Sequence, residues 1–174
     1  MADINLDPTL VKYKGVFDFN NLFQVIYDWL DDHEYEVNEK IFKHKIPTPK
    51  GAEKEIEWEA YREVTHYIKY KITFKFKVFD LRDVEVVRGE EKLMKSYGKV
   101  RVTITPILMV DYNEIFSGNK FKEFLGKLFN DKVYNMDLGV LYADPLQYRM
   151  YQLQGVIKQT LDMEAQYNAF AGRA

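Results

Sequence analysis

Cysteine is absent from all 174 residues. That excludes disulfide staples, thiolate metal sites and a cysteine nucleophile, and it fits a reducing compartment. Serine is almost absent too: only Ser96 and Ser117 occur, and neither stands in a Gly-x-Ser-x-Gly elbow. No Gly-x-x-x-x-Gly-Lys-Ser/Thr or Gly-x-Gly-x-x-Gly is present, so neither familiar phosphate cradle is encoded, and there is no His-Glu-x-x-His pair. The three histidines, His33, His44 and His66, lie far apart without ligand spacing. Only His66, on the apolar parity of an extended stretch, is placed where a perturbed pKa is worth seeking. Asp80 and Asp83 read as turn residues rather than an acid–base pair. No catalytic residue, cofactor or metal is therefore expected, and an enzyme is not the leading reading.

Long apolar runs are missing as well. No window approaches the roughly 18 residues of a membrane-crossing helix. The opening Met-Ala-Asp-Ile-Asn-Leu-Asp is acidic and does not read as a secretory signal. The expected location is the cytoplasm. Neither sign of charge dominates: 25 basic against 27 acidic side chains leave a net charge of −2. A dedicated nucleic-acid binder carries a basic excess, which this chain lacks.

What is abundant is apolar and aromatic. The chain is 47% hydrophobic with 12 Phe and 13 Tyr, enough to build one core in a single domain, 1–174. The central stretch is Ile68–Val78. Ile68, Tyr70, Ile72, Phe74, Phe76 and Val78 take one parity; Lys69, Lys71, Thr73, Lys75 and Lys77 take the other. Strict alternation predicts a strand with one buried and one basic face, spanning about 36 Å.

Around it the chain reads in order. Residues 1–17, punctuated by Pro8 and Gly15, are expected to be an irregular lead-in. Asp18 caps a helix over 19–31 with Phe19, Leu22, Phe23, Ile26, Trp29 and Leu30 on one face. Asp28, Asp31 and Asp32 form a solvated acidic end. Residues 34–46 read as a strand with Tyr35, Val37 and Ile41 on one parity. Pro47–Gly51 is a loop, and Glu55–Val64 alternates again, with Ile56, Trp58, Ala60 and Val64 inward and Glu57, Glu59 and Glu63 outward. A bulge or bend is expected near His66. Arg88–Glu91 reads as a hairpin turn, Gly98 as a break, and Lys99–Tyr112 as a strand with Val100, Val102 and Ile104 inward and Pro106 at an edge or bulge. Ile107–Val110 is apolar on both parities and needs cover on both faces. Ser117 caps a helix over 118–130 bearing Phe121, Phe124, Leu125, Leu128 and Phe129 among Lys120, Lys122 and Lys127, the pattern of a sheet-covering or interfacial helix. Asp144 and Pro145 open a long C-terminal helix, 145–170, with Leu146, Met150, Leu153, Ile157 and Leu161 at helical spacing.

The expected fold is α+β: a twisted antiparallel meander of four to six strands, packed by an N-terminal helix and two C-terminal helices. The leading function is a non-enzymatic interaction or assembly subunit, with a second copy or other protein subunits as partners. Candidate self-association residues are Leu146, Tyr148, Met150, Tyr151, Leu153, Val156 and Ile157, because the apolar arc of that helix is wide. The alternative is a binding domain for an anionic surface, lipid headgroups or nucleic acid, through Lys69, Lys71, Lys75, Lys77, Lys99 and Arg101. Against it, Glu57, Glu59 and Glu63 share the outward parity and neutralise the lysines if the strands pair antiparallel. A small-molecule cup between sheet and helices ranks third.

Overall fold

The computed structural model describes residues 2–48, 51–88, 91–114, 123 and 139–163. Its frame is a six-stranded antiparallel sheet: β1 (Ala2–Asn5), β2 (Thr9–Phe17), β3 (Glu36–Thr48), β4 (Gly51–Glu63), β5 (Ile68–Arg88) and β6 (Glu91–Val110). Helix α1 (Phe19–Asp32) follows β2, and α2 (Asp144–Thr160) follows β6. Across the sheet the order is β1, β6, β5, β4, β3, and β2 shares with β1 the far side of β6. An α+β single domain results, within the expected strand number.

Residues 2–17 are not an irregular lead-in. Leu10 to Lys14 alternates, and β2 pairs residue for residue with β6 from Thr9↔Ile104 to Phe17↔Ser96. β1 continues the same edge, from Asn5↔Ile107 to Ala2↔Val110. Pro106 therefore lies inside a central strand. It is tolerated because it faces the gap between β1 and β2: its carbonyl accepts from Leu6 N at 3.0 Å. The N–H it lacks would point to that same side, where no strand residue needs it.

The apolar parity of the sheet is the core floor. Ile56, Trp58, Ala60, Ile68, Tyr70, Ile72, Phe74, Phe76, Val78, Val100, Val102 and Ile104 are buried. α1 lies on it through Leu22, Ile26 and Leu30, with the Phe23 ring 4.6 Å from Phe76 and 5.4 Å from Trp58. Asp18 caps this helix as expected, accepting from Asn21 N at 3.0 Å. Its other end is a Schellman motif: Glu34 has φ 62°, Tyr35 N bonds Leu30 O, and Glu34 N bonds Asp31 O. α2 lies beside α1 and buries Leu146, Met150, Leu153 and Ile157.

Several expectations shift. β4 and β5 are joined by a full reversal at 64–67, so Val64 is exposed rather than inward and His66 sits exposed in the turn. In β3 the register slips between Glu39 and Ile41, so Val37 and Phe42 take the helix side and Ile41 the opposite one. Gly98 does not break β6. It lies beside a bulge in β5 at Asp80 (φ 57°), where a Cβ would come 3.0 Å from Phe79 O; on the other flank a Cβ at Gly51 would come 2.5 Å from the Asp80 carbonyl carbon. Asp80 is thus a bulge residue rather than a turn residue. α2 is entered through a π-helical turn, Gly139–Ala143, so Asp144 is its first residue and not a side-chain cap. The helix ends at Thr160 in a turn with Asp162 at φ 51°, short of the expected 170. Of the expected helix at 118–130 only Glu123 is described, and it is helical. No helix among the described residues is long and apolar enough to cross a membrane.

β5 and β6 run to 21 and 20 residues. Their neighbours stop sooner, β4 pairing β5 only as far as Leu81 and β2 pairing β6 only as far as Ser96, so the far end of the hairpin continues as a two-stranded ribbon with Val87 and Met94 exposed.

Candidate interaction surfaces

The face of the sheet opposite the helices carries the outward parity of each strand. On β5 this places Lys69, Lys71, Lys75 and Lys77 in one row, and the antiparallel register sets a glutamate row of β4 beside it. Lys69 meets Glu63 at 3.3 Å, Lys75 meets Glu57 at 3.8 Å and Lys77 meets Glu55 at 3.5 Å. Glu59 is the hub. It accepts from Lys71 Nζ at 2.7 Å and from Tyr61 Oη at 2.7 Å, with Lys40 at 3.5 Å. The Lys71 hydrogen bond holds the Glu59 carboxyl below its ordinary range, and the same bond raises the Lys71 ammonium. On β6, Lys99 reaches Asp80 of the bulge at 2.7 Å, which raises its pKa.

Five of the six anion-binding candidates are therefore matched by an acid of the same sheet. The sixth, Arg101, has no ion pair among the described residues. The register brings two further cations to it that sequence reasoning placed in a lead-in. Lys12 stands directly opposite Arg101, and Lys14 directly opposite Lys99. On its other side Arg101 faces Lys77. Lys12, Lys14, Lys99 and Arg101 line a shallow groove with Phe79. Like charges directly across a ladder are unfavourable, by a few tenths of a kcal/mol each. The signal that could have located this group is the Lys-x-Lys alternation of residues 12–14 inside an apolar–polar repeat.

The second surface is the outside of α2. Four of the seven self-association candidates, Leu146, Met150, Leu153 and Ile157, are wholly buried in the domain's own core and are not available to a partner. Val156 is half-buried, whereas Tyr148 is 66% exposed and Tyr151 51%. Leu141, one turn before the helix, is 59% exposed. Gly155 shares this outer face by helical spacing, and a Cβ there would meet no atom within 4 Å. Between Asp144 and Lys158 the only charged residue is Arg149; Gln147, Gln152 and Gln154 supply the remaining polarity.

Other candidates recede. The His33 ring stacks on Trp29 at 3.8 Å and its Nδ1 lies 2.7 Å from Trp29 O, so it closes the end of α1. Asp28, Asp31 and Asp32 are exposed, and Asp28 accepts from Gln24 Nε2. Among the described residues no group of three or more His, Asp and Glu is placed to hold a metal ion.

No protein-family model matches the sequence. No curated protein matches it either.

Proposed function

We propose that the protein is a non-enzymatic assembly subunit that pairs with a second copy of itself through the outer face of α2. The observation that carries this reading is a helix face that is charged only at its two ends, by Asp144 and Lys158, and is set between them with two exposed tyrosines and an uncovered glycine, on a chain that is 30% charged. Interface cores are depleted in charge and enriched in tyrosine. A two-fold contact sets one patch against its own image, so any charge there meets its like; a patch of Tyr, Gln, Leu and Gly meets itself without repulsion. The sheet edges do not compete. β3 ends in Lys43, Lys45 and Pro47 and is broken by a register slip, and β2 bears Lys12 and Lys14, devices that discourage edge pairing. At about 1.5 Å per residue α2 is about 26 Å long, so a single helix-on-helix contact is at the small end of stable interfaces and a micromolar dissociation constant is expected. Light scattering behind size exclusion tests this. The intact chain should give a concentration-dependent dimer, and the double variant Tyr148→Glu, Tyr151→Glu should give a monomer with unchanged circular dichroism. A monomeric intact chain at high micromolar concentration overturns the reading.

The opposed cations of β2 and β6 favour a second reading, a binding domain for an anionic surface. Retaining Lys12 across from Arg101 and Lys14 across from Lys99 has a folding cost that an anionic partner would offset. Co-sedimentation with vesicles containing phosphatidylserine, and titration with a labelled oligonucleotide, test it. Binding should fall steeply with salt and be abolished by Lys12→Glu, Lys14→Glu. Binding that survives this variant contradicts the assignment to this face.

A further inference from the structure

Acids are scarce where β2 and β6 meet. β2 contains none, and β6 contains only Glu91, its first residue. The net charge of −2 is therefore set elsewhere in the chain, and the outer sheet face formed by β2, β6 and β5 is strongly basic. Pairing fixes three rows across it: Lys12, Arg101 and Lys77; then Lys14, Lys99 and Phe79; then Val16, Tyr97 and Arg82. Strands lie about 4.8 Å apart and successive rows about 6.7 Å. The bulge at Asp80 composes the third row. The register slips between Phe79 and Arg82, so Arg82 rather than Leu81 comes opposite Tyr97.

All six cations are exposed, and the two rings are half-buried between them. Glu55 matches Lys77, and Asp80 matches Lys99. Lys12, Lys14, Arg82 and Arg101 have no ion pair among the described residues. The Arg82 guanidinium lies 4.7 Å from the centre of the Tyr97 ring, a planar cation set over an aromatic ring. Phe79 lies at the floor of the groove flanked by Lys14 and Arg101.

We infer that this face binds single-stranded nucleic acid. The inference rests on the reading of the face as an anion-binding surface and names the anion. A single strand offers both things the face is built to meet: repeated phosphates for the four unmatched cations, and unstacked bases for Phe79 and the Arg82–Tyr97 pair. A duplex can satisfy the cations but keeps its bases stacked on one another. An anionic bilayer can satisfy them too, but rings half-buried between charges offer it little to insert.

The test is anisotropy titration of the full chain with labelled oligo-dT and oligo-U of about 12 nucleotides and with a duplex of equal length, beside co-sedimentation with phosphatidylserine vesicles. Single strands should bind more tightly than duplex. Their log K should fall against log salt with a slope of about −3, for four neutralised phosphates. The double variant Lys12→Gln, Lys14→Gln should make that slope shallower by about 1.4. Phe79→Leu keeps an apolar side chain and removes the ring; it should weaken binding about fivefold or more and leave the slope unchanged. Tyr97→Leu is the second ring variant, with the same expectation, and circular dichroism shows which of the two folds. Single-strand binding undiminished in a folded ring variant overturns the inference, as does a duplex bound equally well. Binding to vesicles without binding to single strands also overturns it and leaves the anion-binding reading standing. No binding to oligonucleotide or vesicle removes both.

Discussion

At the scale of single residues, carboxylates do much of the positioning. Asp18 accepts from Asn21 N and holds Lys95 at 3.0 Å, so it joins the start of α1 to the β5–β6 hairpin. The Asn21 bond, then the Lys95 bond, lower its pKa; Glu59 is lowered by Lys71. A carboxyl depressed in the folded state stabilises above its unfolded value, and the contribution is lost as pH falls through the folded one. From ordinary values of 3.8 and 4.5, stability should hold above pH 4.5 and decline below it. Asp18→Ala should cost about 1 kcal/mol at neutral pH through the lost cap. Urea unfolding at pH 7 and pH 3 checks both points: the variant's deficit should shrink in acid, and an equal deficit at both would show that its ionised form is not what caps the helix. Gly98 is a second decisive residue, because a methyl there would press on Phe79 O. Gly98→Ala should destabilise by about 1–3 kcal/mol, measured by the same unfolding curves. An unchanged midpoint would mean that the Asp80 bulge yields freely.

At the scale of elements, periodicity made much of the fold legible. The alternation of Ile68–Val78 and Val100–Ile104 gave the correct faces, because among the described residues the helices cover each stretch on its apolar side. The inner stripe of α2 was equally plain, since Leu146, Met150, Leu153 and Ile157 keep helical spacing. β1 and β2 were not legible: they are short, separated by Pro8, and stabilised by pairing with β6, far along the chain. Losing β2 also hid Lys12 and Lys14, and with them the unpaired part of the basic face. The slip in β3 was invisible for another reason, since a bulge adds one residue without changing composition. The Glu–Lys ladder was readable as an alternative because both rows fall on the outward parity; only the register shows which acid meets which lysine. Phe74 tests the reading of β5. It is wholly buried and stacks on Phe76, so Phe74→Ala should cost about 3–5 kcal/mol. A melting temperature unchanged by that substitution would place the core elsewhere.

At the scale of the whole molecule, the two broad surfaces have different characters. The open sheet face is charged and largely matched within itself, apart from the cations where β2 meets β6. The outer face of α2 carries charge only at its ends, Asp144 and Lys158, and among the described residues Tyr148 and Tyr151 stand exposed on it. Self-association through α2 is the central claim, and the lack of cysteine makes it directly measurable. Single variants Tyr148→Cys, Gln152→Cys and Gly155→Cys place one thiol on the proposed contact, and Lys14→Cys places one on the opposite side of the domain. Disulfides form only where Cα atoms approach within about 7 Å. Under mild oxidation at least one α2 variant should yield a covalent dimer, in a yield that rises with protein concentration, while Lys14→Cys stays monomeric. If all three α2 variants remain monomeric, or Lys14→Cys cross-links as readily, the outer face of α2 is not where two copies meet.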